Sequence, residues 1–155
     1  MFETMTMTGY PTISLCMIVK DEDDWIEQCL KSVQPIISEI IFVDTGSTDR
    51  SIEIAQRCGA KIHTFKWNDD FSAARNFSIQ FATSEWILIL DPDEAIAERD
   101  LKTLQEKTLA QGVCYEFLQR HYTNDHRLSN FEPCKGEFPE LEKHYPGYFE
   151  SNLCR

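Results

Sequence analysis

Two carboxylates flank a proline directly after the most apolar stretch of the chain, in Asp91-Pro92-Asp93-Glu94. So spaced at a strand exit they can share one hard cation, because Mg²⁺ and Mn²⁺ take one or two protein carboxylates and fill the shell with water and phosphate oxygens. The same residues also suit a type I turn, with Asp first and Pro second, and a rigid turn is compatible with a metal site. A second candidate is Asp44-Thr45-Gly46-Ser47-Thr48-Asp49, where an acid ends an apolar run and small residues follow. Its carboxylate can accept hydrogen bonds from a ribose or from base N–H groups, or it can simply cap the helix that comes next. A third is Asp69-Asp70-Phe71-Ser72-Ala73-Ala74-Arg75-Asn76. Arg75 near the start of a helix can bind a diphosphate, pin a metal-ligating carboxylate, or form a surface ion pair. His63, His121, His126 and His144 have no helical metal spacing, and His63 on a strand reads as structural.

The elements that position these residues follow from the apolar pattern. Ile13 to Val19, Ile40 to Val43, Ile62 to Phe65 and Trp86 to Leu90 are dense in Ile, Val, Leu and Phe, as strands buried on both faces should be. Between the first two, Trp25, Ile26, Cys29, Leu30 and Val33 recur at helical spacing until Pro35. Ile52, Ala55 and Cys58 form a second stripe, with Ser47, Thr48 and Asp49 as caps and Gly59 past its end. Phe71, Ala74, Phe77, Ser78 and Phe81 form a third. The alternation predicts an α/β fold, an open, mainly parallel sheet with helices on both faces, in which ligands bind beyond the carboxyl ends of the strands. Asp21, Glu22, Asp44, Asp69, Asp70, Asp91 and Asp93 all follow strands and should converge on that edge. Convergent acids repel, so a cation or a hydroxyl-rich ligand is their natural counterpart.

Beyond Asp93 a helix is expected over Glu98 to Gln111, ended by Gly112, and then a strand over Val113 to Tyr122. Asn124 to Glu150, rich in Pro, Gly, acids and aromatics without period, reads as a loop or lid. The expected organisation is a tail over 1–12, an α/β domain over 13–123, and a lid-like segment over 124–155 that begins another, incomplete part.

Composition narrows the partners. With 15 Lys plus Arg against 26 Asp plus Glu the formal charge is -11, which repels a nucleic-acid backbone and leaves any phosphorylated ligand in need of a divalent cation. Six cysteines form no CxxC pair and no zinc spacing, and Met1 to Pro11 lacks the apolar core of a signal peptide, so a cytoplasmic setting is expected. Trp86 to Leu90 is far too short to span a bilayer.

Taken together, ISLCMIVKDE, IIFVDTGSTD, FKWNDDFSAARNFS and WILILDPDE, dense over residues 13 to 95, resemble the nucleotide-sugar-dependent glycosyltransferases of GT-A fold. They are most similar to inverting family 2, in the branch of bacterial lipopolysaccharide-core glucosyltransferases. The resemblance implies transfer of a sugar, from a UDP-sugar by expectation, to a glycan or lipid-linked saccharide, with Mn²⁺ or Mg²⁺ assisting departure of the nucleotide. It implies that Asp21 and Asp44 contact the nucleoside, Asp91 the ribose or donor sugar, and Asp93 the metal, with Arg75 near the phosphates or the metal carboxylates. Family members often carry Asn where Asp21 stands. The general base belongs to the acceptor half, later than Arg155, so the chain is expected to be a donor-binding fragment with little transfer of its own. The resemblance also implies work on the cytoplasmic side, peripheral to the inner face of the membrane, and self-association through a sheet edge left uncovered after Val113. The alternative is an acidic α/β module that binds nucleotide or metal without turnover. GxGxxG and GxxxxGK[ST] are absent, and the Asp-x-Asp pair follows the fourth strand, not the first as in haloacid-dehalogenase-type phosphatases.

Overall fold

The computed structural model describes residues 9–128, 130–136, 139–143, 145 and 147–152. The chain divides into two compact units at Leu109/Ala110.

In the first unit Ile13–Val19 (β1), Glu39–Asp44 (β2), Lys61–Thr64 (β3) and Trp86–Ile89 (β4) form a parallel sheet of order β3-β2-β1-β4. The connecting helices are Ile26–Val33 (α1), Ser51–Arg57 (α2) and Phe71–Ile79 (α3), and Glu98–Lys107 (α4) follows β4. The order β-α-β-α-β-α-β is the one the apolar pattern predicts. Side chains of β1 alternate between two cores, as the two-residue strand period requires. Leu15, Met17 and Val19 join Ile26, Leu30 and Val33 of α1, Ile54 of α2 and Leu101 of α4 on one face. Cys16 and Ile18 join Phe77 and Phe81 at the end of α3 on the other. Helices therefore cover both faces, and β1 is the most protected strand. His63 stacks on Phe81 with ring centroids 3.7 Å apart, which is the structural use expected of it.

The amino-terminal edge of this sheet is tied by a residue the sequence did not single out. Glu39 accepts hydrogen bonds from Lys61 Nζ (2.6 Å), Thr83 N (2.7 Å), Thr83 Oγ1 (2.9 Å) and Ser14 Oγ. Burial by itself would raise its pKa, but these bonds more than offset it and hold the carboxyl down at about 2. One carboxylate thus joins β1, β2, β3 and the turn before β4.

Three expectations change. The helix after Asp93 ends at Lys107, before the expected Gln111, because Thr108 turns its N–H and hydroxyl back onto the Gln105 carbonyl. The strand expected over Val113 to Tyr122 forms only as Leu118–Thr123 (β5), and Val113 to Phe117 stay exposed outside any ladder. β5 pairs antiparallel with Gly147–Asn152 (β7), which also pairs with Glu132–Pro133 (β6). Pairing with β7 places β5 in the second unit. The expected lid contains β6, the short helix Pro139–Glu142 (α5) and β7. Tyr148 is the buried centre of that unit, with Arg120 stacked over its ring at 4.8 Å and its hydroxyl bonded to Glu132 at 3.2 Å.

Candidate functional site

Chain direction through the sheet reverses its lateral progress at β1: β2 and β3 lie to one side, β4 to the other. The carboxyl ends of β1 and β4 therefore diverge in their outgoing connections, and a crevice opens there, as at other switch points of α/β sheets. A cleft of about 360 Å³ occupies this edge. Glu22, Asp91 and Asp93 line one part, Trp67, Phe71 and Ile18 another, and Arg75 also faces it.

The β1 and β2 exits are stapled together. Asp21 sits at φ 53 and accepts from Thr48 N (2.6 Å) and Thr48 Oγ1 (3.2 Å), while its own N–H donates to Ser47 Oγ (3.1 Å). Glu22 N donates to Ser51 Oγ (2.8 Å) and Asp23 N to Asp49 Oδ2 (2.9 Å). Asp49 Oδ1 meanwhile accepts from Ser51 N at 2.9 Å, so it serves the start of α2 as the sequence suggests. Asp44 is buried, and its two oxygens accept from Gly46 N (3.1 Å) and Ser47 N (3.0 Å) of its own turn. Gly46 takes φ 116, a conformation that L side chains rarely adopt, so the turn needs glycine there. Capping chemistry at Asp44 is real, and each oxygen keeps a second lone pair.

The β4 exit is a turn as well. Glu94 N donates to the Asp91 carbonyl (3.0 Å), and the Glu94 carboxylate reaches back to Asp91 N (2.7 Å). The closed turn fixes Asp91 and exposes Asp93. Arg75 Nη2 donates to Asp91 Oδ1 at 2.9 Å, the pairing of Arg with a strand-end carboxylate anticipated from the sequence. Arg75 Nη1 is buried without a protein partner among the described residues, a donor left for something else.

Electrostatics agree with convergence of the acids. Glu22 has its pKa raised, first by burial and then by the charges of Asp93, Asp49, Asp91 and Asp21. Among the described residues no three His, Cys, Asp or Glu side chains form a group able to hold a metal by themselves. Two carboxylates beside a free guanidinium nitrogen suit a cation that shares its shell with phosphate oxygens, the donor set that Mg²⁺ and Mn²⁺ accept.

Asp21, Asp44, Arg75, Asp91 and Asp93 thus all lie at one sheet edge, with Arg75, Asp91 and Asp93 on the cleft wall. Asp70 caps α3 by accepting from Ala73 N at 2.9 Å, and Asp69, at φ 61, accepts from Trp67 Nε1 at 2.9 Å. Phe71, expected on the buried stripe of α3, is instead 70% exposed, packed edge-on against Trp67 with centroids 4.7 Å apart. The signal for this pair was present as two aromatics four residues apart around Asp69-Asp70.

Similarity to other proteins follows these features. A TPR repeat-containing protein of Synechococcus elongatus is 43% identical over 127 residues, 72% of this chain and 32% of its own length. An uncharacterized glycosyltransferase of Rickettsia bellii is 35% identical over 130 residues, 79% of this chain and 44% of its own. The chain therefore spans well under two thirds of these relatives. Among solved structures, the mannosyltransferase PcManGT of Pyrobaculum calidifontis, in complex with GDP-Man and Mn²⁺, superposes with a TM-score of 0.58 at 22% identity, over 68% of this chain and 34% of its own. Glucosyl-3-phosphoglycerate synthase of Mycobacterium tuberculosis, in complex with Mn²⁺ and UDP-glucose, gives 0.51 at 21% identity, over 66% of this chain and 40% of its own. At such identities these two show a shared fold. The sequence pattern of glycosyl transferase family 2 matches residues 14–150, nearly the whole described chain, and the protein belongs to that family.

Proposed function

We propose that this chain binds a nucleotide-sugar donor, a UDP-sugar in the first instance, for inverting transfer of the sugar to a hydroxyl of a glycan or lipid-linked saccharide. The observation that carries the reading is Arg75, whose Nη2 holds Asp91 while its buried Nη1 has no protein partner beside the cleft. A guanidinium so placed binds a diphosphate oxygen and keeps Asp91 oriented. Asp91 then accepts a hydroxyl of the ribose or donor sugar, and Asp21 and Asp44 hold the nucleoside edge through the lone pairs their turns leave open. Asp93 and Asp91 would hold Mn²⁺ or Mg²⁺, which would supply Lewis-acid assistance to the departing nucleotide. The acceptor hydroxyl attacks the face of the sugar opposite the leaving group and gives its proton to a general base, which has no assigned residue here. The narrower likeness to lipopolysaccharide-core enzymes, a place on the cytoplasmic side near the membrane, and self-association along an open sheet edge belong to the same proposal. Cys16, Cys29, Cys58, Cys114 and Cys134 are unpaired, which suits a reducing compartment. Among the described residues no helix is long and apolar enough to cross a membrane.

Calorimetry of UDP binding with Mn²⁺ and with chelator tests the donor reading. Binding that requires the metal is expected, and equal affinity in both conditions would remove the role given to Asp93. Incubation with UDP-sugars and saccharide acceptors, read by UDP release, separates transfer from binding without turnover.

A further inference from the structure

The cleft has a wall that the donor reading leaves unused. Phe71 begins α3 one turn before Arg75, so the two side chains project from the same side of the helix. Phe71 is 70% exposed, a large apolar side chain left mostly in solvent. Trp67 packs against it at an interplanar angle of 73°, and the indole is fixed because Nε1 donates to Asp69 Oδ1 at 2.9 Å. Asp69 itself holds φ 61, a conformation unusual for a residue other than glycine. Both rings line the cleft together with Arg75, Asp91 and Asp93. The result is a preorganised aromatic pair, open to solvent, in a cleft whose lining also carries Glu22, Asp91 and Asp93.

Its surroundings select the ligand. Asp69 and Asp70 are exposed, and each spends Oδ1 on a local donor, Trp67 Nε1 and Ala73 N respectively. Each keeps a second carboxylate oxygen as an acceptor, beside the two rings in sequence. A neutral pyranose fits both features: its C–H face lies on an aromatic ring, and its equatorial hydroxyls donate to carboxylates. We propose that Trp67 and Phe71, which line the same cleft as Arg75, form with the neighbouring Asp69 and Asp70 a subsite for a neutral pyranose unit of the acceptor saccharide. That the saccharide is the acceptor rests on the transfer reaction proposed above; that it binds here does not.

The test uses the 155-residue chain with methyl β-glucopyranoside and methyl β-galactopyranoside as probes, followed by saturation-transfer NMR and tryptophan fluorescence without nucleotide or metal. UDP binding with Mn²⁺ is measured separately on the same samples. At least one glycoside is expected to bind weakly, Phe71→Ala to lower its affinity about fivefold, Phe71→Tyr to restore it, and UDP affinity to be the same in all three. The large exposure of Phe71 makes both variants compatible with folding, which circular dichroism checks. Failure of the wild-type chain to bind either glycoside, or equal binding by Phe71→Ala, overturns the subsite. A fall in UDP affinity in Phe71→Ala also overturns it, because the ring would then stack on the base. Glycoside binding that depends on Phe71 in a chain that does not bind UDP would refute the donor reading and leave the subsite standing.

Discussion

Neutralising Glu39 without changing its shape should weaken the sheet that carries the cleft. The carboxylate is nearly buried, 8% exposed, and accepts from Lys61, Thr83 and Ser14 at the amino-terminal edge. Its pKa falls from the ordinary 4.5 to about 2 because those bonds outweigh the burial that opposes ionisation. A group whose folded pKa is depressed contributes stability that is present above its unfolded pKa and lost as pH falls through the folded one. The depression corresponds to about 3 kcal/mol, reduced to about 2 kcal/mol by solvent screening of the exposed Lys61 ammonium. Glu39→Gln should therefore lose about 2 kcal/mol at neutral pH, read as a lower midpoint of urea unfolding. The decisive measurement is the difference between wild type and variant as a function of pH. It should hold steady down to about pH 4.5 and close toward pH 2, because other carboxylates titrate alike in both proteins. A gap that is absent at neutral pH, or that persists unchanged at the acid end, would refute the assignment of Glu39 as the charged tie of β1, β2 and β3.

The cleft makes further expectations. Asp93→Asn should abolish the metal dependence of UDP binding by calorimetry while leaving thermal stability without metal unchanged or slightly higher, since one of several repelling carboxylates is lost. Arg75→Met should cost more affinity for UDP than for uridine, because Nη1 is assigned to the diphosphate; equal losses would place the guanidinium elsewhere. Asp44→Ala removes the acceptor for Gly46 N and Ser47 N and should destabilise the fold by about 1 to 3 kcal/mol, seen in urea unfolding, in addition to weakening nucleoside binding. Mn²⁺ and UDP should each tighten the other by the same factor, and tight Mn²⁺ binding without nucleotide would contradict a cation shared with phosphate.

Much of this architecture is legible in the residues because the four strands are buried on both faces and therefore read as continuous apolar runs. Acids immediately after those runs are then bound to share an edge in a parallel sheet, which is why Asp21, Asp44, Asp91 and Asp93 come together despite their distance in sequence. What the residues do not disclose is how each carboxylate divides its oxygens. Asp44 serves its own turn and Asp91 serves Arg75, and both depend on backbone geometry that no spacing rule encodes. Phe71 fits the apolar stripe of α3 by period, yet as the first residue of the helix it packs on Trp67 of the preceding loop and stays 70% exposed. Glu39 is invisible for another reason: Ser14, Lys61 and Thr83 come from three separate segments. The strand expected from Val113 forms only from Leu118 onward, where Leu118 pairs with Asn152 of β7.

The two sheet edges divide the work of the carboxylates. At the amino-terminal edge a single acid meets an ammonium, hydroxyls and an N–H, and its charge stabilises the fold. At the carboxyl edge Glu22, Asp91 and Asp93 face one another around a cleft that also holds Arg75 and Lys20, and the mutual repulsion shows in the raised pKa of Glu22. Selection for stability alone would have supplied more cations or fewer acids there, since like charges at close range cost free energy in proportion to their desolvation. The imbalance makes sense if positive charge arrives from outside with a ligand that brings negative charge of its own. A metal-diphosphate pair would meet that condition, because its cation would relieve the acids while Arg75 Nη1, which has no protein partner among the described residues, could take a phosphate oxygen. On that proposal, the repulsion among these acids is what a metal-diphosphate pair would relieve on binding.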